Sequence, residues 1–378
     1  MFKSKKIKEI LNPKNLPIGE IKTLYANEHL DIIYEACTAC YDNTKELTQI
    51  QKREYVKKRV LAGHTSVLEH GWLTMVIKDM HPFHLGAMCK MSMPLHYLYT
   101  SVVNTEPDKC NVFISGSIRA FRHFAMEATD EDKVSVFYNH IMNEVSTYAI
   151  DAYFIDLIND ETIPFNYQFT LLPLDPNDYT KDLILNRDNI DKNDMFDIMM
   201  DFTNFDSGMG RINKLKMDLL EYGFTKREID VSYAIPILFK NLSRISTHQL
   251  VRHRNAITQE SMRYVDASPN GFEVPVFEGM KERYEIELFG NKVNIPLDIL
   301  AEEMMKVYNQ LKNQGMKMED ARYFLISGVK CKRVYMTFTP FSLNKFIEIR
   351  TDPHASEEIR RRALSLQTAR LCTSVKVL

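Results

Sequence analysis

The stretch HQLVRHRNAITQESMRYV, residues 248–265, places His248, Arg252, His253, Arg254 and Arg263 within one short segment. An arginine guanidinium is planar, permanently charged and offers a fork of donors that matches phosphate or carboxylate oxygens. Gln249 and Gln259 each carry a donor and an acceptor on one amide, which is what reading a pyrimidine edge requires. His253 can stack on a ring or hydrogen-bond to it. These residue types suit a pocket for an anionic, ring-bearing ligand. The competing interpretation is a solvated basic helix end with surface ion pairs, and composition alone leaves both open.

The rest of the chain makes that concentration of charge a local feature. Among 378 residues, 48 basic side chains meet 50 acidic ones, for a formal net charge of −2. Proteins that grip nucleic acid polymers or membrane surfaces carry a basic excess, so neither is expected as a partner. Hydrophobic residues make up 45%, enough for one large core or two ordinary ones. Apolar runs such as YAIPILF at 233–239 are too short to cross a bilayer. MFKSKKIKEI is not followed by the apolar stretch of a signal peptide, and six scattered cysteines suit a reducing compartment. The expected location is the cytoplasm. Cys37-Thr-Ala-Cys40 has neither a second cysteine pair nor a clustered histidine, so two ordinary helical thiols are expected there and no metal site.

Regular elements must hold the cationic segment in place. VSYAIPILFKN predicts a strand, and SRISTHQLVRHR predicts a helix capped by Ser243. Arg252 and Arg254 then lie at its C-terminal end, where cations complement the dipole. ITQESMRYV is extended or turn-like; if extended, Gln259, Ser261 and Arg263 share a face. Downstream, helices are expected over 295–315 and over MEDARYFLISG, and a strand-to-helix passage over VYMTFTPFSLNKFIEIR. A last helix is expected from Asp352 as cap, with Pro353 in its first turn. Upstream, 20–62 reads as helical and ends at Gly63, and GWLTMVI reads as a buried strand. CNVFISGSIRAFRHFAMEA passes from strand into a helix with Phe121, Phe124 and Ala125 on one stripe. Residues 150–230, acidic and rich in Asn and Asp, read as an elaborated insertion or connector.

Arg252-His253-Arg254, with Gln259-Glu260-Ser261-Met262-Arg263-Tyr264 just beyond, resembles the signature of the flavin-dependent thymidylate synthases (ThyX). His64-Thr-Ser-Val-Leu-Glu69-His70 is similar to that family's N-terminal H…EH segment, and Arg322 in EDARYFLIS to another of its arginines. SLNKFIEIRTDPHASEEIRRRA resembles its C-terminal helix pair, with Arg350 and His354 at the arginine and histidine positions. The four pieces occur in the family's order and cover about 60–80 and 230–370. Departures are visible as well. Six residues separate RHR from Ser261 where the family has seven. Thr339-Pro-Phe-Ser and Lys345 replace the family's usual asparagines and arginine. About 150 residues separate H…EH from RHR. Because FISGSIRAFRHFAMEA also resembles the family's C-terminal strand and helix, keeping Arg119, two tandem diverged copies would explain the spacing. One would lie in 1–229, with the 150–229 connector, and one in 230–378. A single copy with a large insertion is the alternative.

The resemblance implies an α+β fold, with an antiparallel or mixed sheet flanked by helices. It implies conversion of dUMP to dTMP, with 5,10-methylenetetrahydrofolate as carbon donor and FAD reduced by NADPH as hydride source. Implied dUMP-binding residues are Gln249, Arg252, Glu260, Ser261, Arg263, Arg322 and Arg350, with Arg350 catalytic. Implied FAD contacts are His64, Arg119, Arg252, His253, Arg254, Gln259, Thr339, Lys345 and His354. A homo-oligomer is implied, a dimer if the chain is duplicated and otherwise a tetramer. Rival expectations are hydroxymethylation of a pyrimidine nucleotide, or a non-catalytic flavin- or nucleotide-binding descendant.

Overall fold

The computed structural model describes residues 16–27, 29–41, 46–85, 98–133, 136–148, 153–154, 196–197, 205–274 and 280–375. The chain divides into two compact units. One comprises Met1–Tyr34, Glu46–Asp188 and Asp201–Ile235; the other comprises Glu35–Lys45, Asn189–Met200 and Pro236–Leu378. Both mix helices with sheets, and every strand pairing of recorded direction is antiparallel. The expected α+β class is therefore observed.

In the first unit, β1 (Glu20–Ala26), β2 (Trp72–Met80), β3 (Tyr99–Glu106) and β4 (Lys109–Ser117) form a sheet in the order β1-β2-β4-β3. Residues 20–26 were expected to be helical, but they alternate along β1, and Tyr25 faces the core. A period of two won over apolar spacing that also fits a helix. Helix α1 (His29–Tyr41) follows, assigned to the second unit from Glu35 onward, and then α2 (Gln49–Leu61). Gly63, at φ +83°, ends α2 as expected. Strand β4 runs into α3 (Ile118–Glu127), whose N-terminus is capped by Ser117 and whose Phe121, Phe124 and Ala125 are buried. Most of 150–204 lies outside the described residues. Leu215 and Leu219 of the adjoining α4 (Phe205–Glu221), with Phe224 just beyond it, pack with Tyr25, Trp72, Val76 and Phe113.

In the second unit, β5 (Phe196–Asp197), β6 (Ile235–Ser243), β7 (Ala256–Gln259) and β10 (Lys330–Phe338) form a sheet in the order β5-β6-β10-β7. Between β7 and β10 lie a hairpin, β8 (Tyr284–Leu288) with β9 (Asn291–Ile295), and α6 (Leu297–Asn313); α5 (Arg244–Leu250) precedes β7. Strand β10 feeds α7 (Pro340–Arg350), and α8 (Glu357–Val375) closes the described chain. Numbered by their order along the chain, the strands of each sheet follow the same pattern, first, second, fourth, third. Each fourth strand leads into a helix capped by a hydroxyl, Ser117 or Thr339.

Two expected helices are shorter than their sequences suggest. MEDARYFLISG gives only a single turn, Met318–Ala321, and a 3-10 turn, Arg322–Phe324. The last helix starts at Glu357 rather than after Asp352. There the Asp352 carboxylate accepts from the His354 amide at 2.8 Å, so Asp352 closes a local turn.

Burial sets an acid limit on stability. Fully enclosed His29 and His70 are held neutral, with pKa values lowered by burial to about 4 and about 3. The unfolded chain, with ordinary histidines, binds protons that the folded chain refuses. Stability is therefore complete above about pH 6.5 and declines as pH falls toward 4. Urea midpoints should fall between pH 6.5 and 5, above the range where carboxylates titrate; midpoints constant across that interval would contradict this account.

Candidate active site

The Ser243 side chain accepts from the Ser246 amide at 3.2 Å and so starts α5 as expected. From α8, the buried Glu358 carboxylate reinforces the cap, accepting from the Ser243 amide at 2.8 Å and the Ser246 hydroxyl at 2.7 Å. A carboxylate at a helix N-terminus satisfies orphan amides and complements the dipole. Ser243→Ala should cost about 1–2 kcal/mol, read as a lower thermal midpoint; an unchanged midpoint would show that Glu358 alone suffices.

After Leu250 the helix tightens into a 3-10 turn, Val251–His253, and Arg254 takes φ +52°. Left-handed backbone is uncommon for a residue other than glycine, and here it turns the chain into β7. Arg252 and Arg254 are exposed. Among the described residues, neither guanidinium has a hydrogen-bond or ion-pair partner.

From the C-terminal end of α7, Arg350 reaches the same turn. Its Nε donates to His253 Nε2 at 2.9 Å, and its terminal nitrogens donate to Gln249 Oε1 at 3.2 Å and the Gln249 carbonyl at 3.3 Å. The other end of the Gln249 amide donates to Ser356 Oγ at 2.8 Å. An Nε2 that accepts leaves the proton on Nδ1, so this network assigns the His253 tautomer. The ring meets Phe346 edge-on, with centroids 5.0 Å apart. Burial, then the Arg350 charge, lower its pKa to about 4; at neutral pH it is an uncharged acceptor. A cleft of about 360 Å³ opens beside these groups, lined by Ile245, His248, Gln249, Arg252, Ser327 and Arg350.

A second cationic group lies around Glu319. Arg263 pairs with its carboxylate at 3.2 Å, and Arg322 Nε donates to its carbonyl at 3.0 Å. The shared extended face expected for Gln259, Ser261 and Arg263 is absent. Strand β7 stops at Gln259, and 262–264 form a turn, with Ser261 Oγ accepting from the Arg263 amide at 3.4 Å.

Several implied site residues are engaged elsewhere. Glu260, 2% exposed, is enclosed in the scaffold and does not face the cleft. Its carboxylate accepts from Asn270 Nδ2 at 3.0 and 3.1 Å and from the Lys332 amide at 2.8 Å. Gln259 Oε1 is buried without a partner among the described residues. Thr339 forms a capping box with Ser342 at the start of α7. Lys345 pairs with Glu348 at 3.1 Å on an exposed face, and His354 leans on Asp352 at 96% side-chain exposure. In the first unit, His64 is exposed at the start of the turn Thr65–His70, and Arg119 pairs with Glu69. Nothing in the sequence marks Ser327, which lines the cleft, or Ser356, which accepts from Gln249; tertiary contacts bring both there. Glu319 was readable in hindsight, three residues before Arg322.

Residues 232–371 match the family model described as thymidylate synthase complementing protein. A flavin-dependent thymidylate synthase from Thermococcus onnurineus is 30% identical over 141 residues, 36% of this chain and 54% of that protein. One from Pyrococcus furiosus is 35% identical over 121 residues, 31% of this chain and 46% of that protein. The chain thus spans about half the length of the curated relatives it matches. Among solved structures, ThyX from Helicobacter pylori complexed with FAD and dUMP aligns at 18% identity and a TM-score of 0.29, over 43% of this chain and 84% of that one. The resemblance noted at Arg252-His253-Arg254 and beyond is borne out as a resemblance: residues 232–371 are similar to flavin-dependent thymidylate synthases.

Proposed function

We propose, taking that likeness of residues 232–371 as the premise, that the chain is a flavin-dependent thymidylate synthase. It converts dUMP to dTMP, with methylenetetrahydrofolate as carbon donor and NADPH as reductant. The observation that carries this reading is the convergence of Arg350, Arg252 and Gln249 on one cleft, with Arg350 held by His253. Methyl transfer to a pyrimidine carbon builds negative charge on the ring, and a fixed guanidinium nearby stabilises it. Arg350 is assigned that role, aimed at the N3/O2 edge. For Arg263 to take the phosphate it must release Glu319. Their pair is exposed, 53% and 38% by side chain, so the exchange costs little. Arg322 and Ser261 complete the nucleotide-binding set.

The donor chemistry also fits FAD. Arg252 and Arg254, two exposed guanidiniums without partners among the described residues, suit a diphosphate. His64, Arg119, Lys345 and His354 are assigned as further contacts. When bound, the flavin supplies the hydride chemistry; the protein binds and orients it.

The matching strand orders β2-β4-β3 and β6-β10-β7 support reading 60–150 and 230–378 as two diverged copies of one unit. The first copy keeps His64, Glu69, His70 and Arg119, and the second keeps RHR, Ser261, Arg322 and Arg350. A homodimer would then do what a homotetramer of single copies does. The experiment is direct. Purified protein given dUMP, methylenetetrahydrofolate and NADPH should form dTMP and show a flavin absorbance spectrum. Colourless protein that takes up no supplied FAD overturns the proposal.

A further inference from the structure

Arginines of the second unit lean on two kinds of acceptor: Arg283 and Arg322 donate to the backbone carbonyls of Asn294 and Glu319. Arg263, Arg333, Arg360 and Arg361 of the same unit each pair with a carboxylate. Arg350 pairs with none among the described residues. The acids nearest in sequence are occupied: Glu348 with Lys345, Asp352 with His354, Glu357 with Arg360 and Arg361, and Glu358 at the cap of α5. Its three nitrogens instead meet His253 Nε2, Gln249 Oε1 and the Gln249 carbonyl, all uncharged acceptors.

The distinction has a physical consequence. A carboxylate and a neutral acceptor both fix the plane of a guanidinium, but the carboxylate also cancels its field. A neutral acceptor costs the cation none of its charge. The groups facing His253 are Arg350 and the Phe346 ring, with Arg252 and Arg254 flanking it in sequence, so among the described residues no acid from a packed element offsets the cations.

We infer that His253 is a positioning residue whose uncharged imidazole, together with Gln249, pins Arg350 in one orientation while leaving its positive charge available to an anion in the cleft. This replaces the flavin contact assigned to His253 by resemblance. It rests on the nucleotide reading only for the identity of that anion.

Glutamine and glutamate each carry an oxygen about as far from Cβ as imidazole Nε2, so His253→Gln keeps a neutral acceptor and His253→Glu supplies a charged one. Inorganic pyrophosphate serves as the anion probe, titrated calorimetrically at fixed ionic strength, with thermal midpoints recorded in parallel. His253→Gln should bind within about threefold of the unsubstituted protein, and His253→Glu at least about tenfold more weakly without a lower midpoint than His253→Gln. In turnover, His253→Glu should lower kcat on the order of a hundredfold, and His253→Gln should restore most of it. Equal pyrophosphate affinity of the two variants overturns the inference, as does failure of the unsubstituted protein to bind the probe. Loss of FAD uptake in both variants alike would return His253 to a flavin contact. If the pyrophosphate series behaves as expected but dUMP is not consumed, the inference stands and the thymidylate synthase reading fails.

Discussion

Arg350→Ala should reduce dTMP formation by at least about a hundredfold while FAD remains bound, with the loss appearing in kcat more than in KM. A single preorganised group aimed at developing charge is worth about that much. The split follows from geometry. Arg350 is half-buried at the end of α7, pinned through each of its three nitrogens, and Arg252 and Arg254 stand free to hold the anionic parts of the ligands. On the proposed reading, removing Arg350 takes away the group assigned to the ring and leaves the groups assigned to phosphate. Arg350→Lys separates charge from shape. An ammonium keeps the charge but cannot meet His253 Nε2, Gln249 Oε1 and the Gln249 carbonyl in one plane, so partial activity is expected. Single-turnover rates with pre-bound dUMP, alongside the flavin spectrum, make the measurement. Wild-type turnover in Arg350→Ala would remove the catalytic assignment.

Glu260→Ala should act through stability. By sequence, Glu260 sits among the residues implied to bind dUMP, and a substrate ligand would raise KM when removed. In the structure its carboxylate satisfies Asn270 and the Lys332 amide, and its carbonyl accepts from buried Arg244 at 2.6 Å. Truncation takes the carboxylate from the Lys332 amide and leaves Asn270 Nδ2 with the Lys330 carbonyl. Losing hydrogen bonds to a charged group costs about 1.5–3 kcal/mol each, which lowers the thermal midpoint by about 5–10 °C in a unit of this size. A midpoint within a degree of the parent, together with a raised KM for dUMP, would return Glu260 to the substrate.

These contrasts show where sequence stops being informative. Ser243 and Gly63 were legible because caps and stops depend on atoms within a turn of the chain. Strand β6 and the passage from β10 to α7 were legible because their apolar runs bury on both faces whatever they pack against. Strand β1 was not, because seven residues of mixed polarity acquire a period of two only when β2 pairs with them. The one-turn helix at Met318 was overpredicted for the same reason: local propensity is small beside the packing that decides where a helix ends.

For the site, the sequence by itself determined its chemistry: arginines at 252, 254, 263, 322 and 350, amides at 249 and 259, and a likeness that named a reaction. It could not determine which of them meet. Only the tertiary structure brought Arg350 across about a hundred residues onto Gln249 and His253, gave Glu319 to Arg263, and enclosed Glu260 beneath the turn. Residue type fixes what a group can donate or accept, but whether it spends that capacity on a ligand or on a neighbour depends on distances that a chain acquires only when it folds.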